Sequence, residues 1–309
     1  MVKMPGKSFK GPLPQMTEEE QFLRSRLQEH VNILASKIGE RNLYLKYTEL
    51  QEAAHYIEQY LVRQGYEVSS QGYRVRGREV RNIEAVKVGS DLADEIIVIG
   101  AHYDSAMGTP GANDNASGVA ALLELARLMR DDRPARSVRF VAFVNEEPPY
   151  FKTDDMGSMR YAKRCAERNE NVVAMLALET IGYYSDNPGS QRYPPGISLF
   201  YPDRGNFVAF VGNIGSGSLV RRCVKLFRAS TEFPCEGAVM PGWIVGIDWS
   251  DHWSFWQEGF KGIMVTDTAP FRYSYYHSPN DTPDKVNYDR TARVVAGLVK
   301  VILRLAEND

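Results

Sequence analysis

IIVIGAHYDS (residues 96–105), PGANDNASG (110–118) and RFVAFVNEEPPYF (139–151) decide the fold between them. The first and third are apolar runs of strand length that end abruptly in polar residues. Between them a Gly/Asn turn opens ASGVAALLELARLM, which reads as a helix from Ser117 to Met129. Strand, helix, strand is the unit from which parallel sheets are wound. The polar residues at the strand ends are His102, Asp104, Asp114, Glu146 and Glu147. Ligands in open α/β sheets collect beyond the carboxyl ends of the strands, so these residues converge if the sheet forms.

Reading outward, the same alternation continues. Amphipathic helical patterns occupy EEEQFLRSRLQEHVNILASKIG and TELQEAAHYIEQYLVRQGY. Strands are predicted at YEVSSQGYRV, VRNIEAVKVG, VVAMLALETI, SLFYPD, FVAFVGN and GIMVTDT, and helices near Met156–Arg168, Ser218–Ala229, His252–Gln257 and Asp289–Leu305. The expectation is one α/β domain over residues 1–309, with a mixed, mostly parallel central sheet covered by helices on both faces. Residues 1–16, rich in Pro and Gly, read as an extended N-terminal segment. GNIGSGS (212–218) lacks the lysine of a phosphate-binding loop and reads as a strand-to-helix turn.

The apolar run VVAMLALETI carries Glu179 at its end, and a late histidine follows at His277. Each polar residue alone has a bland reading; Asp114 could simply cap the next helix. Five of these residues, His102, Asp114, Glu147, Glu179 and His277, each following a strand or its loop and none accompanied by cysteine, point instead to a hydrolytic centre for two divalent ions, zinc first among them. Adjacent Glu146 and Glu147 suit a division of labour, one on a metal and one taking the proton of the attacking water.

GAHYDS, PGANDNASGVAALLELAR, VNEE, LALETIGY and YYHSPNDTPDKVNY, in that order, resemble the co-catalytic zinc aminopeptidases of the bacterial leucyl-aminopeptidase type, from about Arg41 onward. The resemblance implies a zinc-exopeptidase fold of the phosphorylase/hydrolase-like kind and cleavage of the N-terminal bond of peptides. It places His102, Asp114 and Glu179 on one metal, and Asp114, Glu147 and His277 on the other. It makes Glu146 the general base, Asp104 the group that orients His102, and Tyr276 a donor to the oxyanion, although Tyr276 could equally be a packing aromatic. Glu179 departs from the pattern, which usually has Asp there. Ser250-Asp251-His252 also matches a family segment, and His252 reads as a buried residue or pocket wall. The alternatives are a single-zinc glutaminyl cyclase and a non-catalytic binding domain, which would normally have lost ligands.

Composition and length fit an ordinary soluble enzyme, and small neutral or peptide substrates are compatible with it. A net charge of −2 among 309 residues leaves no basic footprint for nucleic acid or an anionic membrane. There is no apolar run of about 18 residues to span a bilayer. The opening MVKMPGKSFKGPLPQ has no signal-peptide core and reads as cytoplasmic as written; a chain trimmed of a leader would read the same, and would then be periplasmic or secreted. Cys165, Cys223 and Cys235 have no zinc spacing and read as buried thiols, with a Cys223–Cys235 pair the alternative in an oxidising compartment. The segment Asp186–Pro202, with Trp243, Trp249 and Phe271, is expected at the rim of a pocket. Oligomeric state is not legible.

Overall fold

A computed structural model describes residues 3–307. Eight strands form one mixed sheet: β1 (Val68–Val75), β2 (Arg78–Lys87), β3 (Leu92–His102), β4 (Arg136–Phe143), β5 (Asn171–Glu179), β6 (Val208–Gly212), β7 (Cys235–Val239) and β8 (Gly262–Thr266). Their order across the sheet is β1-β2-β4-β3-β5-β8-β6-β7. The central strands β4, β3, β5 and β8 run parallel, β6 pairs antiparallel with β8, and β7 lies parallel to β6. This is the mixed α/β sheet that the strand–helix alternation predicts.

The alternation of side chains along β3 shows why both faces must be covered. Ile97, Ile99 and Ala101 enter one core, while Ile96 and Val98 enter another. The larger core lies beneath α1 (Glu18–Asn32), α2 (Tyr47–Arg63), α3 (Gly118–Met129), α5 (Gly217–Ser230) and α8 (Tyr288–Ala306). The second is sealed by α4 (Gly157–Glu167) and α6 (His252–Gln257), with Phe143, Tyr161 and Phe255 packed edge to face or tilted. A short α7 (Ala269–Arg272) follows β8. Among the described residues, no helix is long and apolar enough to cross a membrane. All three cysteines are buried free thiols.

Two sequence expectations need correction. SLFYPD (198–203) is not a strand: it folds into turns, with Ile197 N–H donating to Pro194 O and Phe200 N–H to Ile197 O. Prolines at 194, 195 and 202 bracket it, and Leu199 and Phe200 are exposed. Conversely, CEGAV forms β7, although a glycine and a glutamate in five residues hide its strand character. The Gly212–Ser218 turn joins β6 to α5 as expected.

The N-terminal segment runs along β7. Ser8 Oγ accepts from Cys235 N–H at 3.0 Å, and Arg228 donates to Pro5 O at 3.0 Å. A Cβ added at Gly237 would lie 2.9 Å from the Met4 side chain.

The start of α3 is pressed against β5. A Cβ on Gly118 would lie 2.3 Å from Asn115 Oδ1 and 2.5 Å from the Leu178 carbonyl oxygen. Gly118→Ala should therefore cost about 1–3 kcal/mol through overpacking. Thermal melts check this, and an unchanged Tm would show that the turn can give way.

Candidate metal centre

Three parallel strands deliver the site. His102 is the last residue of β3 and Glu179 the last of β5, while Glu146 and Glu147 follow β4 by three and four residues. Asn145, with φ of 60°, and Thr180, with φ of 45°, turn the chain sharply beside them, and His277 itself has φ of 52°. Left-handed backbone at non-glycine residues is costly and gathers where a side chain must be aimed. Asp114 sits in the wide turn Ala112–Ser117 between β3 and α3.

The structure brings together all five predicted ligands. His102 Nε2 lies 3.3 Å from Asp114 Oδ1 and 3.3 Å from Glu179 Oε2. His277 Nε2 lies 3.1 Å from Asp114 Oδ2 and 3.2 Å from Glu147 Oε2. Asp114 thus faces one histidine with each oxygen. Ligand atoms of His102, Asp114 and Glu147 fall within 4.8 Å of one another, a trio that draws from both predicted metal positions. Glu146 stands slightly back, its Oε2 3.8 Å from His102 Nε2.

The fit to a cation can be read from atoms that lack partners. His102 Nε2, Asp114 Oδ2 and Glu147 Oε1 are buried and make no aligned hydrogen bond, although two of them approach a neighbouring donor or acceptor closely. Orphaned polar atoms are expensive unless something satisfies them. Three such atoms converging from histidine and carboxylates make a site of the zinc type.

Protonation tells the same story. Burial opposes charge on His102, but the Glu146 and Glu179 carboxylates outweigh it and hold its pKa well above the usual value. Burial likewise opposes His277, yet Asp114 and Glu147 lift it to about 11. Glu147 is pushed up to about 7 by burial and by Asp114, against the pull of His277. Burial raises Glu146 well above the carboxylate range, and raises Glu179 too. Asp114 is held low despite burial by the neighbouring His102 and His277.

Asp104 does more than orient a ring. Its Oδ1 and Oδ2 accept the backbone N–H groups of Glu146 and Glu147, each at 3.1 Å. His102 Nδ1 lies 3.2 Å from the Asp104 carbonyl oxygen and 3.5 Å from its carboxylate. A second carboxylate, Asp281, does the same for the other loop: it accepts from Asn113 N–H at 2.8 Å and Asp114 N–H at 3.1 Å, and Tyr273 OH donates to it at 2.7 Å. Asn115 ties that loop to β5 through Leu178 O and Thr180 N–H, and Asp267 receives Asn113 Nδ2 and Tyr183 N–H. Sequence reading missed Asp281, Asn113, Asn115 and Asp267. The NDN triplet and the Asp two residues after Pro279 were the available signals.

Other predicted residues fall as follows. Tyr276 stacks on the His277 ring, 3.9 Å between centroids, and lines the neighbouring cavity. His252 is buried against Trp256 with Nε2 2.8 Å from Ile247 O, so it serves the core. Ser250 Oγ donates to Glu179 Oε2 at 2.7 Å. Asp251 is fully buried near the cluster. Trp249, Phe271 and parts of 186–202 line the cavity, whereas Trp243 is 80 % exposed and does not.

Fold and site together define an α/β metallohydrolase whose ligands hang from the ends of a parallel sheet. Residues 82–302 match peptidase family M28, and the chain belongs to that family. It is 44% identical over 262 residues to the uncharacterised protein YfbL of Escherichia coli K12, covering 82% of this chain and 80% of that one. It is 26% identical over 231 residues to a probable aminopeptidase of Saccharomyces cerevisiae, YDR415C, covering 70% of this chain and 55% of the yeast protein. The fold matches BSAP, a zinc aminopeptidase from Bacillus subtilis, with a TM-score of 0.74 at 14% identity over 97% of both chains.

The protonation pattern predicts how the metal-free protein responds to pH. Asp267 and Asp281 have folded-state pKa values raised to about 7 and about 6, mainly by burial, and His277 is raised to about 11. Groups with raised folded values bind protons more tightly folded than unfolded, so the stability they give is present at low pH and is lost as pH rises. Chelator-treated protein should therefore melt higher at pH 5 than at pH 7.5. Added zinc should reverse the order, because the metal competes with those protons. A metal-free Tm that rises between these pH values would sink this account.

Proposed function

We propose that the chain is a metal-dependent aminopeptidase, a hydrolase that removes the N-terminal residue of peptides by attack of water. Two divalent ions, zinc by donor type, would be held by His102, Asp114 and Glu179 and by Asp114, Glu147 and His277, with Asp114 between them. The observation that carries this reading is the convergence of buried, unpartnered His102 Nε2, Asp114 Oδ2 and Glu147 Oε1 beside a further carboxylate, Glu146. Membership of peptidase family M28 supports a peptide substrate. The 309 residues are taken as one domain, with 1–16 as its extended leading segment.

Bound metal supplies Lewis acidity, polarising the scissile carbonyl and lowering the pKa of water. The chain does the rest. Glu146 is the base: its carboxylate takes a proton from the attacking water and returns it to the departing amine. Asp104 fixes the main chain of both glutamates, so base and ligand hold their separation. Tyr276 keeps its hydroxyl proton, because burial and the nearby acids, Asp114 and Glu147 foremost, raise its pKa well above the usual value. It can thus donate to the oxyanion of the tetrahedral intermediate.

Glu146→Gln keeps size and hydrogen-bonding capacity and removes the acceptor. Turnover of aminoacyl substrates should fall by about 10²-fold or more while metal content stays near wild type. Loss of metal to the same degree would exchange the roles of Glu146 and Glu147. Mass spectrometry of products from peptides beginning with Gln tests the cyclase reading directly, since cyclisation and hydrolysis give different masses.

Glu179 tests the two-metal arrangement. Its carboxylate is held by Ser250 Oγ and reaches His102 from the end of β5. Glu179→Ala should selectively weaken one metal, whereas Glu179→Asp, shorter by one methylene, should lower affinity yet keep far more activity. Activity in titrated chelator buffers reads both. Unchanged metal affinity in Glu179→Ala removes this residue from the site.

A further inference from the structure

The β1–β2 hairpin stands taller than the strand it flanks. Ile83 of β2 pairs antiparallel with Ala142 of β4, and Asn82 Oδ1 still accepts Val144 N–H at 3.1 Å. There β4 ends, at Phe143, whereas the hairpin continues to Val75 and Arg78, which face each other below its tip. Arg78 lies as far before Ile83 as Glu147 lies after Ala142, so the register carried past β4 sets the two level. The tip therefore rises beside the loop of Glu146 and Glu147, at the end of the sheet where the candidate ligands gather. Tyr150 joins hairpin and loop. Its N–H donates to Glu147 O at 3.0 Å, its hydroxyl is buried without a partner, and Arg76 and Arg78 are among the charges that act on it.

The tip is cationic, and its charge is unspent. Val75-Arg76-Gly77-Arg78 turns with positive φ at both central residues, 50° and 81°, a conformation that favours Asn-Gly or Asp-Gly. Arginine is a poor choice for that turn, so its reason lies in the side chain. The Arg76 guanidinium sits over the Tyr44 ring at 5.7 Å and that of Arg78 over the Tyr47 ring at 5.0 Å. A ring face steadies a guanidinium and leaves its N–H edge available. Arg78 gives Nη1 to Leu43 O at 2.8 Å. Among the described residues, no carboxylate pairs with either arginine. The acids nearby are taken: Glu79 by Arg74, Glu58 by Arg81 and Asp155 by Arg160. Two exposed guanidiniums beside an unpartnered phenol hydroxyl are rich in donors and short of acceptors, the composition that suits an anion.

Position says which anion. Glu146, as base, returns its proton to the departing amine, so the released fragment begins at the loop beside the hairpin. That fragment carries the substrate's C-terminal carboxylate, and each added residue moves it onward by at most about 3.6 Å. We propose that Arg76 and Arg78 bind a carboxylate of the released fragment and so favour short peptides with a free C-terminus, an assignment that rests on the aminopeptidase reading above. An acidic side chain next to the cleaved bond offers the same chemical group from a second source.

The test is kcat/KM of the zinc-loaded full chain on two pairs of peptides: Leu-Ala against its C-terminal amide, and Leu-Asp amide against Leu-Asn amide. Wild type should favour Leu-Ala over its amide by about 10-fold, chiefly through KM, as one charge-assisted hydrogen bond does. Arg76→Asn combined with Arg78→Gln should bring that ratio close to one, whereas Arg76→Lys with Arg78→Lys should keep part of it because the charge remains. Arg76→Asn suits the turn, so its Tm should not fall. A lower Tm with equal losses on acid and amide would make Arg76 a structural residue and overturn the proposal, as would an acid-to-amide ratio that the Asn/Gln pair of substitutions leaves untouched. A preference confined to Leu-Asp amide and lost with both arginines keeps the carboxylate site but moves it from the C-terminus to an acidic side chain. Equality within both pairs removes the site. In a chain that cleaves none of these peptides, calorimetric titration with Leu-Ala and its amide decides separately. Tighter binding of the acid, lost with both arginines, would keep the carboxylate site and remove the aminopeptidase reading; equal or absent binding removes the site as well.

Discussion

Four carboxylates and two histidines crowded at the ends of three strands, all but His277 buried, are the constraint around which this molecule is arranged. Like charges in a medium of low dielectric repel strongly, and each must also give up its water. The loops that carry these residues are held through their backbone. Asp104 and Asp281, themselves acids, each take two consecutive main-chain N–H groups and so lock the loops that carry Glu146, Glu147 and Asp114. Behind them Arg41, fully buried, spends its guanidinium on the carbonyls of Tyr103, Pro110 and Gly111. The loops are thus held by hydrogen bonds that do not consume the inward-facing ligand atoms.

That economy separates the rigid part of the site from the adaptable part. Metal ligands sit on strand ends and on loops pinned to them, where a small displacement would be costly. At the other end of the sheet, short strands β6 and β7 and the turns between residues 185 and 207 line a mostly apolar cavity. The two meet at Glu179 and Tyr276, which belong to both.

Much of this was legible in the sequence, for definable reasons. Apolar runs ending in His102, Phe143 and Glu179 announce parallel strands, because only a sheet covered on both faces is continuously apolar. Residues that point inward from strand ends could be named one by one. Asp281 could not: it lies far along the chain from Asn113, and nothing in either segment announces the pairing. The same limit hid β7, where Glu236 and Gly237 break the strand pattern for reasons that lie in the cavity and in the N-terminal segment packed behind it. SLFYPD misled in the opposite sense, its aromatic and aliphatic residues suggesting a strand where prolines enforce turns.

The N-terminal segment beside β7 has a consequence for the sheet as a whole. An outermost strand offers a row of unpaired amide and carbonyl groups, a template on which a foreign strand can polymerise. Here part of that border is met by residues 4–8: Ser8 Oγ takes the Cys235 N–H, and Pro5 beside it has no N–H of its own to offer a foreign strand.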